Sequence, residues 1–300
     1  RAIPFIVLLR QIKAKKSPAA ETLAWVLHQM FYQEKVGTEM LLHAAQTGYP
    51  EAMYQLAESY YHGIGTEKND SEAVRLFALA SDRGHVGAKG SLAVTFQTGR
   101  GHSEVNLSKA IQLYREAAES GSATAECDLG MCFEIGAGVA MNIFEAVKYY
   151  KSAASKGLST AKCNLAVCLH NGTGCTENKQ EAVKLWLEAA ESGCLVLAQF
   201  NLGVCYHNGF GVDANPKEAF KYYKMAAEQG DEPAVETTAW CYATGFGVPK
   251  DRVEMKRWMN ILVQLRSQDD PPTAASAAAA QQQPASDNKS NDDQSDEEDG

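Results

Sequence analysis

Apolar side chains return along this chain at helical spacing, and the whole pattern returns every 36 or 37 residues. Ala52, Ala88, Ala125, Ala161, Ala198 and Ala234 open one column. Four residues on stand Leu56, Leu92, Leu129, Leu165 and Leu202, with Thr238 as the exception. The next column is small (Ala57, Ala93, Gly130, Ala166, Gly203, Ala239), and three residues later it is large (Tyr60, Phe96, Phe133, Leu169, Tyr206, Tyr242). Apolar groups at i, i+4, i+5 and i+8 lie on one stripe of an amphipathic helix. The small column admits a close neighbour, and the aromatic column fills the space beside it.

Each stripe ends in a glycine pair: Gly63/Gly65, Gly99/Gly101, Gly136/Gly138, Gly172/Gly174, Gly209/Gly211 and Gly245/Gly247. A second helix is then predicted from a repeated cap, Asn69, Asn106, Asn142, Asn178, Asn215 and Asp251, side chains that accept from the first free backbone N–H groups. Three residues later come Glu72, Lys109, Glu145, Glu181, Glu218 and Glu254, so five of the six pairs predict a reciprocal capping box. This helix carries Ala73, Ala110, Ala146, Ala182 and Ala219, then Phe77, Tyr114, Tyr150, Trp186 and Tyr223. It is predicted to stop at Gly84, Gly121, Gly157, Gly193 or Gly230, the residue type that best takes a left-handed C-terminal position. A period of this size marks a stacked array of two-helix units.

The expected organisation is a basic N-terminal segment (1–20), a degenerate leading repeat (21–50), six units (51–87, 88–124, 125–160, 161–197, 198–233, 234–266) and an acidic low-complexity tail (267–300). The sixth unit is expected to cap the array, because Met255, Trp258, Met259, Leu262 and Val263 replace the small residues that another unit would need for docking. The tail, with Pro271-Pro272, an alanine run, Gln281–Gln283 and nine acids, is expected to be disordered. Within it, Ser295-Asp-Glu-Glu is the kind of site acidophilic kinases modify.

The column pattern resembles the Sel-one-like repeat (SLR) over about residues 51–266. The segment Phe200-Asn-Leu-Gly-Val-Cys-Tyr-His-Asn-Gly-Phe-Gly-Val212, followed by Ala219-Phe-Lys-Tyr-Tyr-Lys-Met-Ala-Ala227, is near its consensus. The resemblance implies an all-α fold, a right-handed α/α superhelical solenoid related to tetratricopeptide repeats. It also implies an adaptor that assembles protein complexes, a subunit of an ER-associated-degradation ubiquitin ligase being one known setting. The family shares no catalytic residue, so no enzyme activity and no cofactor are expected. A cysteine-rich secreted subset, some with β-lactamase activity, staples its repeats with disulfides. Here the corresponding Ala117-Ala118 and Ala153-Ala154 carry no cysteine, a departure that disfavours that reading.

Charge and candidate chemistry narrow this further. The net charge of −9 is polarised, with five basic groups and no acid in residues 1–20 (Lys13, Lys15 and Lys16 among them). No basic face suited to phosphates is apparent, so no nucleic-acid partner is expected. The apolar run Ile3–Leu9 is too short to span a bilayer. Of eight cysteines, Cys132, Cys168, Cys205 and Cys241 share one column and Cys127 and Cys163 another. Neighbouring helices pack about 8–10 Å apart. That separation is too wide for disulfides within a column or for one zinc ion, so no metal is expected and the cysteines read as buried packing residues. The glycine pairs have neither a preceding strand nor a Gly-Lys-Ser/Thr, so they are not phosphate loops.

The partner-binding surface is expected on the concave face of the first helices, holding a peptide or helix from another protein. Its candidates are Tyr54, Glu58, Tyr61, Met131, Glu134, His170, Asn171, Phe200, Val204, His207, Asn208 and Trp240. The expected compartment is the reducing cytoplasm, or the ER if a targeting segment precedes Arg1. Asn106-Leu-Ser108 and Asn171-Gly-Thr173 fit the glycosylation rule that the second setting would use.

Overall fold

A computed structural model describes residues 35–101, 104–191 and 196–269. The basic N-terminal segment, Glu21–Glu34, Gly193 and the tail from 270, with Ser295, lie outside the described residues. Among those described, the chain is all α-helix with no strand. The helices are α1 (Lys35–Gln46), α2 (Pro50–His62), α3 (Asp70–Asp82), α4 (Val86–Thr98), α5 (Leu107–Glu119), α6 (Ala123–Ile135), α7 (Ile143–Ser155), α8 (Ser159–Asn171), α9 (Lys179–Glu191), α10 (Val196–Asn208), α11 (Pro216–Ala227), α12 (Glu232–Thr244) and α13 (Arg252–Asp269). The described residues divide into two compact units, one up to Tyr222 and one from Tyr223 on. Helix α13 runs to Asp269, three residues into the stretch expected as tail.

In the first unit, α2 packs on α3, α4 on α5, α6 on α7 and α8 on α9, and each pair docks on the next. The predicted columns meet in these seams. Leu56, Leu129 and Leu202 are fully buried, as are Ala57, Ala93 and Ala166 beside them. The small column is small because the second-helix aromatic lies on it: a Cβ at Gly130 would sit 2.6 Å from Cε1 of Tyr150. Tyr150 and Tyr114 are themselves buried, at 0% and 1% exposure. In the second unit α12 packs on α13, burying Val235, Trp258 and Leu262.

In the four pairs from Gly99/Gly101 to Gly209/Gly211 the two glycines do different work. The first ends a helix with left-handed backbone, as at Gly172 (φ 68°). The second is also left-handed and abuts the preceding unit: a Cβ on Gly174 would lie 2.8 Å from the carbonyl oxygen of Ile143 at the start of α7. No side chain fits there, so the second glycine marks a place where one repeat's loop rests on its neighbour's backbone.

All six predicted caps form. The Oδ1 atoms of Asn69, Asn106, Asn142, Asn178, Asn215 and Asp251 accept from the N–H three residues on, at 2.9–3.3 Å. The reciprocal half of the capping box is replaced. The caps' own N–H groups donate back across the loop to the carbonyls of Tyr60, Phe96, Phe133, Leu169, Tyr206 and Tyr242. Four of the glutamates instead pair with a base three residues on, as Glu72 does with Arg75 and Glu145 with Lys148. Each such exposed pair contributes about 0.3–0.5 kcal/mol.

Candidate functional site

Two pairs of first helices, α2 with α4 and α6 with α8, touch through side chains three residues after the column alanine. Ser91 Oγ of α4 donates to Glu58 Oε1 of α2 at 3.0 Å, and Asn164 Nδ2 of α8 donates to Cys127 Sγ of α6 at 3.7 Å. Position three of one repeat therefore faces positions two and six of the repeat before it. The charged residues one place after the column alanine turn the other way: Lys89 pairs with Glu116 of α5 and Lys162 with Glu188 of α9. What the helices α2, α4, α6 and α8 otherwise place on this face is acidic, aromatic, apolar, small or neutral polar, the last including Gln55, Gln97 and Asn164.

Several of the candidates on this face are engaged within the chain. Tyr54 stacks on His85, with centroids 4.5 Å apart. His85 Nδ1 accepts from the N–H of Ala88, capping α4, so its Nε2 carries the proton and donates to Glu51 at 2.7 Å. That bond holds the Glu51 carboxyl below its ordinary range, against the opposing effect of burial. The Arg100 guanidinium lies 3.6 Å above the Tyr61 ring and is fixed by Asp70 at 2.9 Å. Glu134 accepts from the buried Tyr150 hydroxyl at 2.5 Å. Glu58 also approaches His62, at 3.3 Å.

His170 lies between the rings of Trp186 (5.5 Å) and Phe210 (5.6 Å). Its Nδ1 is buried with no hydrogen-bond partner among the described residues. Burial, and then the nearby charge of Lys179, hold its pKa below the ordinary histidine value. Phe200, Val204 and His207 are half-buried on α10, while Asn171 and Asn208 are exposed at helix ends. Asn208 bonds back to the carbonyl of Val204 at 2.9 Å. Met131 is 44% exposed on α6. Trp240 belongs to the second unit, where it is 43% exposed and lies 5.3 Å from Phe246.

Two residues of the same face had no place among the candidates. Asp128 on α6 makes no hydrogen bond or ion pair among the described residues, although it is largely enclosed. Burial pushes its carboxyl up to about 6. Ile135, one helix turn beyond Met131, is 68% exposed. The signal for both was present in the columns. Asp128 is the one ionisable member of the set Gln55, Ser91, Asp128, Asn164, Asn201 and Thr237. Ile135 stands where the other repeats carry His62, Thr98, Asn171, Asn208 and Thr244.

The six buried thiols offer no nucleophile. Cys127, Cys132, Cys163, Cys168, Cys205 and Cys241 are free and buried, and burial lifts them to about 11–12. They stay protonated at neutral pH. Among the described residues, no group of three or more His, Cys, Asp or Glu gathers to hold a metal, and no helix is long and apolar enough to cross a membrane. An open cleft of about 610 Å³ between α3, α4 and α5 has an apolar floor (Val74, Leu92, Phe96, Leu113) and is rimmed by Lys109 and the Lys89–Glu116 pair.

Stacked pairs of capped helices with buried, repeating seams define an all-α solenoid of the Sel-one-like class. The Sel1 repeat is matched over residues 50–85, 91–122, 123–158, 159–194, 196–231 and 238–260, and the chain belongs to that family. Among solved structures, it is similar to a Sel1 repeat protein from Oxalobacter formigenes (26% identity, TM-score 0.69, 81% of this chain and 96% of that one). It is also similar to c5321, a protective antigen of uropathogenic Escherichia coli with an SLR fold (27% identity, TM-score 0.64, 84% of this chain). The match spans 54% of that antigen. The immunity protein PA5088 from Pseudomonas aeruginosa shares the fold at 22% identity and TM-score 0.51, over 74% of this chain and 83% of that one. No curated protein is matched by the sequence. Sel1-repeat solenoids typically serve protein–protein interaction and are typically non-catalytic.

Proposed function

We propose that this chain is a non-catalytic scaffold that holds a peptide or helix of a partner protein on the first-helix face of residues 50–208. The observation that carries the reading is the direct contact between successive first helices, Glu58 with Ser91 and Cys127 with Asn164. These contacts join α2 to α4 and α6 to α8 side by side, so the side chains of successive first helices adjoin on one face. On that surface Met131 is exposed and Val167 and Val204 are half-covered, while the charged Lys89 and Lys162 are drawn off to the second helices. A preformed surface of this kind lowers the ordering cost of binding on the receptor side. A reducing compartment is the setting we propose, on the strength of the six buried free thiols.

The test is site-specific photo-crosslinking. A photoreactive residue is placed at Met131 or Val204 on the face, or at Arg115 or Lys151 on the exposed side of a second helix. The same partner should be captured from both face positions and from neither outer one. Capture from the outer positions alone refutes the assignment.

A further inference from the structure

The partnerless carboxylate at the middle of this face indicates the chemistry of what binds there. By the register that joins Ser91 to Glu58 and Asn164 to Cys127, Asp128 faces Gly90 and Val94 of α4. Gly90 supplies no side chain, and a Cβ built on it would meet nothing within 4 Å. The result is a notch with a carboxylate on one wall and open space on the other. Every equivalent interaction across these seams uses a neutral donor: Ser91 meets Glu58, and Asn164 meets Cys127. Among the described residues of this column, Asp128 is the acid left without a donor opposite.

The flank of the notch is apolar where other repeats are polar. Met131 and Ile135 follow Asp128 at i+3 and i+7, on the same stripe of α6, and are 44% and 68% exposed. Met141 continues the patch, packed beside Gly136 at the end of α6 and 74% exposed. Single exposed apolar residues are ordinary, whereas a contiguous group rimmed by polar residues marks an interaction site. The surrounding charge favours a basic group: Glu51, Glu58, Asp128 and Glu134 lie on the first helices from α2 to α8, while the nearby bases are paired elsewhere, Lys89 with Glu116, Lys162 with Glu188 and Arg100 with Asp70.

We propose that the third repeat is the anchor point for the bound segment, with Asp128 receiving a Lys or Arg side chain of the partner and Met131 and Ile135 receiving an apolar one. The proposal rests on the first-helix face being the binding surface. Asp128 and Ile135 are seven residues apart, about 10 Å along a helix. An extended segment advances about 3.3 Å per residue, so the basic and apolar side chains of the occupant stand about three residues apart.

A random twelve-residue peptide library is selected on the full chain, and the enriched peptides are measured by fluorescence anisotropy. The expected peptides share a Lys or Arg about three positions from Leu, Ile, Met or Phe. They should lose about ten- to hundredfold in affinity on Asp128→Asn, the range of a lost charge-assisted bond. Ile135→Asn, the residue found in two other repeats, should lower it as well. A second arm guards against a merely structural effect: Asp128→Lys should bind peptides whose basic residue is changed to Glu.

Affinity should also rise between pH 5 and pH 7.5 in the wild type and be flat in Asp128→Asn. The groups around Asp128 do not titrate in that window. Tyr114 of α5 and Cys127 and Cys132 of α6 are pushed upward by burial, and the facing α4 positions Gly90, Ser91, Val94 and Gln97 carry no titratable group. Peptides without the basic–apolar pair, or with unchanged affinity on Asp128→Asn, overturn the anchor. If those peptides still respond to Val204→Asp, the face remains the binding surface and only the anchor is lost. If they respond to neither, both readings fall.

Discussion

Replacing Asp128 with Asn should stabilise the free protein at neutral pH while removing its proposed contact. The carboxyl is held near pKa 6 by burial, against about 3.8 when the chain is unfolded. Between those values the folded state binds the proton that the unfolded state releases, so stability falls as pH rises from about 4 to 6. Above 6 the whole penalty of keeping a buried charge is present. A shift of about two units corresponds to about 3 kcal/mol at most. Asp128 keeps some contact with water, which lowers the expected effect to about 1–2 kcal/mol. Asn has the same shape and no charge, so urea unfolding followed by circular dichroism should show equal midpoints near pH 4 and a higher variant midpoint at pH 7.5. A lower midpoint for the variant at pH 7.5 would mean that the carboxylate has a partner in the free chain, and the argument for a vacant notch would fail. A gain in stability together with a loss of peptide affinity is the pattern expected of a residue kept for binding.

Gly157 and Gly174 are both left-handed, yet a Cβ meets nothing within 4 Å at the first and a backbone oxygen at 2.8 Å at the second. Gly157→Ala should therefore cost about 1–2 kcal/mol. Gly174→Ala should cost about 1–3 kcal/mol more, measured by urea midpoint, and equal losses would contradict the close-approach reading. Tyr150→Phe should destabilise by about 1.5–3 kcal/mol and Tyr114→Phe by about 0.5–1.5, because the first hydroxyl donates to a carboxylate and the second to the amide oxygen of Gln97. If the two losses are the same, acceptor charge does not set the strength of this bond. In the native protein at pH 8, the half-buried Cys175 should react with a thiol reagent well ahead of Cys127, Cys132, Cys163, Cys168, Cys205 and Cys241, as read by mass spectrometry of labelled peptides. Prompt labelling of any of the six would show that its seam opens.

The architecture was legible because a repeat prints its own alignment. Six copies of one column pattern separate seam residues such as Leu129 and Ala166 from the variable ones, and the Asn/Asp caps act locally, within three residues of chain. The capping box was half wrong for a non-local reason. The carbonyls of Tyr60 and its equivalents, nine or ten residues back, reach the cap N–H first and release the glutamates to pair with bases. The site was less legible. Tyr61 and Glu134 occupy matching positions, and only packing shows that Arg100 covers one and Tyr150 holds the other. Asp128 was overlooked because its column looks uniformly polar, and polarity does not say which member lacks a partner.

By itself, then, the sequence determined the helices, their caps, their pairing and the family, all of which follow from local propensity and a buried period of about 36 residues. The tertiary structure decided which side chains of the shared face are already committed. Whether a carboxylate is satisfied depends on the residue placed opposite it by the neighbouring repeat, and for Asp128 the register of the seams puts Gly90 there, with open space about its Cβ position.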